Sequence, residues 1–241
     1  MILDMDTDLQ QIDRALRRWY KAFGIDHALH TVDSTGNETE SQLSQSNRSA
    51  PATISSLSFK TLDSLKEAVM RLDCPLKRMA NNTVFSDGPP SADIMVIGEA
   101  PGQEEDMQGV PFVGQSGKLL DNMLRAIGFM RKDVYISNVV FWRPPGNRTP
   151  TVDEVSFCLP YVDAHIELVN PKGLLLLGGV AIKALLRNAE SIARARGTVH
   201  TYRGISAVAT YHPAFLLRSP AQKQSVFRDL LLLKKTIQTL S

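Results

Sequence analysis

Apolar residues follow two different spacings along this chain. Leu9, Ile12, Leu16, Trp19 and Phe23 recur three and four apart, which places them on one stripe of a helix that Gly24 closes. Residues 1–30 are therefore read as an amphipathic N-terminal helix that docks on the main domain or on a protein partner. Residues 34–58 then hold eight serines in 25 positions and few apolar side chains. Such a segment cannot bury enough surface to offset its ordering entropy, so residues 31–58 are expected to be a flexible linker. KTLDSLKEAVMR, at 60–71, suggests another short helix.

From residue 91 the pattern turns regular. ADIMVIG, VYISNVV, KGLLLLG and ISAVATY are apolar runs of strand length. GKLLDNMLRAIG, TVDEVSFCLPYVDAHIEL and VAIKALLRNA separate them with helical spacing, Thr151 being a suitable N-cap. SVFRDLLLLKKTIQTL supplies the last helix. Continuous apolar strands alternating with helices predict a mostly parallel sheet covered on both faces, an α/β domain over residues 59–241. No internal repeat is visible.

In such a sheet, ligands bind beyond the carboxyl ends of the strands. The strand exits read GEAPG (98–102), Asn138 with NVVFWRPPGNR, LGG (177–179) and HPAFLLR (212–218), and all four should share one rim. The first exit runs on as GEAPGQEEDMQGVPFVGQSG, read as a glycine-rich loop with consecutive acids Glu104, Glu105 and Asp106 and a returning Phe112. It has neither the GK[ST] of a P-loop nor GxGxxG, and GxSxG is absent from the chain. A flat ring such as Phe112 suits stacking on a base. Asn138 offers a donor and an acceptor, as reading an imide edge requires. Pro213 biases His212 away from helical geometry and holds its ring at the strand exit. His27, His30, His165 and His200 lack such a context and are read as surface or packing residues.

Composition adds little until charge is followed along the chain. The 241 residues are 43% hydrophobic with a formal charge of +2. Residues 1–60 hold eight acids and six bases, a net of −2, which leaves +4 for the remainder. Between Lys183 and Arg218 lie six bases and a single acid, Glu190, a local field suited to a phosphate backbone or simply a solvated surface. Arg143, Asn147, Arg148, Arg218 and Lys223 are the candidate backbone contacts. Two cysteines are too few for a disulfide scaffold, the first residues are acidic rather than signal-like, and no apolar run approaches the roughly 20 residues of a membrane span. The expectation is a cytoplasmic, monomeric protein without membrane contact.

Taken together, GEAPGQEEDMQGVPFVGQSG, SNVVFWRPPGNRTP, LLLLGGVAIKALL and ATYHPAFLLRSPAQKQSVFRDL closely resemble the family 4 uracil-DNA glycosylases. The resemblance spans residues 91–235. It implies a three-layer α/β/α fold around a four-stranded parallel sheet, here with an N-terminal helical extension. It also implies an enzyme that flips deoxyuridine out of uracil-containing DNA and hydrolyses its N-glycosidic bond. Phe112 would stack on uracil and Asn138 would pair with its edge. Gly98, Glu99 and Ala100 would line the pocket with backbone groups, and His212 would hydrogen-bond the uracil O2. Because position 100 is alanine, no general base is available there. Glu99 becomes the first choice for steering water, while Glu105 and Asp106 either position water or brace the loop.

One departure from the family stands out. Its members hold a four-iron four-sulfur cluster on four cysteines. Here the matching positions are Arg71, Cys74, Trp142 and Cys158. A cluster normally needs four thiolates, so no cluster and no other cofactor or metal is expected. Trp142 would fill the vacated volume, its indole covered by Arg71. Two alternatives to uracil excision stay open: a non-catalytic DNA- or partner-binding relative, and a glycosylase shifted to hypoxanthine or xanthine.

Overall fold

The computed structural model describes residues 58–186 and 191–240. The N-terminal helix expected over 1–30 and nearly all of the expected linker lie outside the described residues. The first described helix, α1 (Leu62–Arg71), opens on a capping box between Thr61 and Ser64. It is followed by the short α2 (Pro75–Met79).

The strands β1 (Ile94–Gly98), β2 (Val134–Asn138) and β3 (Gly173–Leu177) are buried along their whole length. The hairpin β4 (Val199–Tyr202) and β5 (Ile205–Thr210) completes the sheet in the order β2-β1-β3-β5-β4. The four apolar runs form the parallel part as expected. The sheet nevertheless has five strands rather than four, because β4 pairs antiparallel with β5 at the edge. Its sequence, VHTY, is short and half solvent-facing, so it carries no continuous apolar signal.

Alternate strand residues feed two apolar layers. On one face Met95, Ile97, Tyr135, Leu174 and Leu176 pack with α1, with α5 (Val152–Val169) and with α6 (Gly178–Leu185). On the other, Ile94, Val96, Ile136, Leu175 and Val208 meet α4 (Gln115–Ala126) and α9 (Lys223–Thr239). Thr151 caps α5 through a box with Glu154, as its sequence suggests. The acidic stretch QEEDMQ is not loop but the helix α3 (Gln103–Gln108), with Gly102 as N-cap and Gly109 in left-handed geometry at φ 71°. Its acids fall in the first turn, where they favour the helix dipole. Two more short helices, α7 (Ile192–Ala195) and α8 (Pro213–Arg218), complete the layers.

Candidate active site

The site is built where β1 and β2 end. Gly98 and Asn138 are register partners on the last rung of that pair. Gly98 must lack a side chain: a Cβ there would lie 2.4 Å from Asn138 Oδ1 and 2.5 Å from Phe112 Cζ. The carboxamide and the phenyl ring therefore converge over one backbone atom. The Phe112 ring lies 5.5 Å, centroid to centroid, from the imidazole of His212, tilted by 32°. His212 links β5 to α8 and caps that helix: its Nδ1 accepts the Ala214 N–H at 3.2 Å. The ring proton thus belongs on Nε2. The third strand exit closes in from behind, since a Cβ on Gly178 would come within 3.0 Å of His212 Cβ. The other three strand exits meet at one cavity, of about 780 Å³, with Glu99, Ala100, Phe112, Asn138, His212 and Arg218 in its walls, while the LGG exit supports it only from behind His212.

Electrostatics sharpen what this cavity can bind. Burial pushes the His212 imidazole down to about 4, against the opposing pull of Glu105. At neutral pH it is an uncharged Nε2–H donor. Asn138 is buried and its Oδ1 has no hydrogen-bond partner among the described residues. A buried acceptor left unmet is costly, so the site asks for a ligand N–H at that position. Burial also raises the Glu99 carboxyl above its ordinary range. A flat ring, an acceptor–donor amide and a neutral N–H donor suit a planar heterocycle with imide and carbonyl groups.

Glu105 and Asp106 have their oxygens engaged with the protein. Glu105 accepts the backbone N–H groups of Gly102, Val113 and Gly114 at 3.1, 2.9 and 2.9 Å. Asp106 accepts from Asn81 N, Asn81 Nδ2 and Asn82 N at 2.8, 2.8 and 3.1 Å. Glu105 thus braces the loop that follows Phe112, while Asp106 ties α3 to the Asn81–Asn82 bend. Asn81 and Asn82 carry no sequence signal of that role.

The basic residues divide into two groups. Asn147, Arg148 and Arg218 line the cavity mouth. Arg143 stands behind, its Nε donating to Asn147 Oδ1 at 2.7 Å. Arg148 forms a bidentate pair with Glu154 at 2.8 and 2.6 Å, and that guanidinium helps hold the Glu154 carboxyl down to about 2. Lys223 is a correction. It is only 7% exposed and its ammonium is depressed by burial, so it is withdrawn from the surface that would meet a phosphate.

Comparison with known proteins agrees with this geometry. The model of the uracil DNA glycosylase superfamily matches residues 85–233. A type-4 uracil-DNA glycosylase of Pyrobaculum aerophilum is 40% identical over 178 residues, covering 70% of this chain and 91% of that protein. Another from Thermotoga maritima is 42% identical over 148 residues, covering 61% and 77%, and one from Sulfurisphaera tokodaii is 39% identical over 179 residues, covering 70% and 81%.

The chain belongs to the uracil DNA glycosylase superfamily.

Within that superfamily, the cluster implied by the family 4 resemblance can be tested against the residues present. Cys74, Trp142 and Cys158 are all buried in one apolar cluster. The Trp142 side chain is fully buried, its Nε1–H donating to Thr83 Oγ1 at 3.0 Å, and its ring meets Phe141 edge-on at 6.0 Å. Burial pushes the Cys158 thiol up to about 12. Arg71 does not cover the indole as expected. It points into solvent and pairs with Glu67 at 3.0 Å, because its helix turns that face outward. Two buried thiols and a buried indole, with an exposed arginine at the fourth position, do not fit a four-thiolate cluster.

Proposed function

We propose that this chain excises uracil from DNA. A deoxyuridine turned out of the strand enters the cavity, the C1′–N1 bond breaks, and water supplies OH to C1′ and a proton to the departing base. Free uracil and an abasic site result. Phe112 stacks on the ring, Asn138 pairs with the imide edge, and His212 Nε2–H donates to O2, where the negative charge of the leaving base collects. That donor acts on charge present only late in the reaction, which is how it lowers the barrier. Glu99, the carboxylate beside Gly98, is the group that steers water. Asn147, Arg148 and Arg218 meet the phosphates around the flipped nucleotide.

The observation that carries this reading is that the phenyl ring and the unmet Asn138 acceptor meet over Gly98, with the His212 imidazole 5.5 Å from that ring. The burial of Trp142 in the same apolar layer as two free thiols supports a protein that works without an iron–sulfur cluster. It would work as a monomer in the cytoplasm; no described helix is long and apolar enough to cross a membrane.

The test is incubation with uracil-containing oligonucleotides followed by alkaline cleavage of abasic sites, with inosine and xanthosine substrates alongside. Cleavage at uracil is expected. Binding without cleavage at stoichiometric protein would overturn the enzymatic reading, and preferential cleavage at inosine or xanthosine would overturn the choice of base. Iron determination on the same preparation is expected to find no cluster.

A further inference from the structure

Phe112 has an unusual backbone for a bulky aromatic residue. Its φ is 52°, in the left-handed region that L-residues other than glycine avoid. Its carbonyl is pressed against the first turn of α4, where a Cβ on Gly117 would sit 1.8 Å from the Phe112 oxygen. Such a conformation persists only when its surroundings enforce it. The Glu105 carboxylate holds the N–H groups that follow, those of Val113 and Gly114. The carbonyl side is held from elsewhere.

That second hold is Arg131, in the turn just before β2. Its Nη1 donates to the Phe112 carbonyl at 2.8 Å and its Nη2 to the Pro111 carbonyl at 2.5 Å. The same guanidinium pairs with Asp87 at 2.7 Å and with Asp121 of α4 at 3.3 Å. Asp87 is itself tied to β2 by reciprocal backbone hydrogen bonds with Ile136, at 3.0 and 2.8 Å. Ile136 lies two residues before Asn138 on that strand. Arg131 is three-quarters buried, and its two acidic neighbours offset its charge.

We infer that Arg131 is a positioning residue for base recognition, locking the Phe112 ring at a fixed height over the Asn138 carboxamide by gripping the Pro111 and Phe112 carbonyls from the turn that leads into the strand carrying Asn138. The role rests on the reading of the cavity as a uracil pocket. A lysine cannot substitute. The grip needs several N–H donors in one plane to reach two carbonyls and two carboxylates at once, and an ammonium on a flexible stem lacks that geometry.

Arg131→Met and Arg131→Lys test this. Stacking on the flipped base stabilises bound substrate and transition state alike, so its loss raises KM and leaves kcat nearly unchanged. The expected rise in KM is on the order of 10- to 100-fold, the range typical of losing one base–aromatic stack. Inhibition by free uracil weakens by the same factor. In a Phe112→Leu background, Arg131→Met adds little, because both changes remove one interaction. A merely structural Arg131 would instead lower kcat through the active fraction and leave KM alone. Should Arg131→Met lack a cooperative melt, Arg131→Lys carries the same comparison. Variants with unchanged KM beside an active wild type would overturn this inference alone, as would full additivity with Phe112→Leu. A wild-type protein inert on uracil would overturn both it and the reading beneath it.

Discussion

The cavity and the Trp142 region both lie past the carboxyl end of β2, yet they are built on opposite terms. The cavity keeps a bulky residue in left-handed geometry, a buried amide oxygen without a partner and a neutral imidazole facing open space. Each of these costs stability in the ligand-free protein. The Trp142 region gives up nothing comparable: its indole is fully buried and its one polar hydrogen is paired with Thr83. The contrast separates groups held for chemistry from groups held for packing. The first region carries unmet polar groups. In the second, volume and apolarity are what the surroundings require.

Substitutions should therefore act on different observables in the two regions. Trp142→Ala, the largest expected effect, should destabilise the protein by about 3–5 kcal/mol, because a large buried ring leaves a cavity behind. Urea denaturation measures this, and kcat/KM of the folded fraction should stay within about threefold. His212→Ala should do the reverse, lowering kcat on the order of 100- to 1000-fold through loss of the donor to O2. Its stability should fall by only about 1 kcal/mol, for the lost cap of α8, and a loss as large as that of Trp142→Ala would erase the distinction.

The pH profile is the finest test. Burial raises the Glu99 carboxyl, so on acidification it takes up its proton earlier than an exposed glutamate would. A carboxylate that steers water is active above that raised value and is lost as pH falls through it. His212, depressed to about 4, remains neutral across most of this limb. The wild-type rate is thus expected to fall on an acid limb lying above the ordinary glutamate value of about 4.3 and to show no step near the ordinary histidine value of about 6.5. Glu99→Gln should remove the limb. A persisting limb would assign the water to another group.

How far this could be read from sequence depended on how each residue announces itself. The parallel strands were legible because a strand buried on both faces must be continuously apolar. Gly98, Phe112, Asn138 and His212 were legible because strand exits are where ligands sit, and because the family resemblance covers them. The edge strand β4 escaped since half of it faces water. The helix α3 escaped because five polar residues and a lone Met107 have no apolar period, its ends being set by glycines instead. Arg131 is an arginine in a surface turn with no motif around it. Its importance arises from four partners far apart in sequence, a relation that no local pattern encodes. Lys223 was misread for the complementary reason: a lysine in a basic stretch looks solvated until the fold covers it.

A fully buried indole whose one N–H is already paired is finished as soon as the polypeptide folds. Its anchor is a side chain of the same polypeptide, Thr83, fifty-nine residues earlier. Whatever loosens the packing around that ring also loosens the chain that runs on from it into the cavity wall at Pro144 and Asn147.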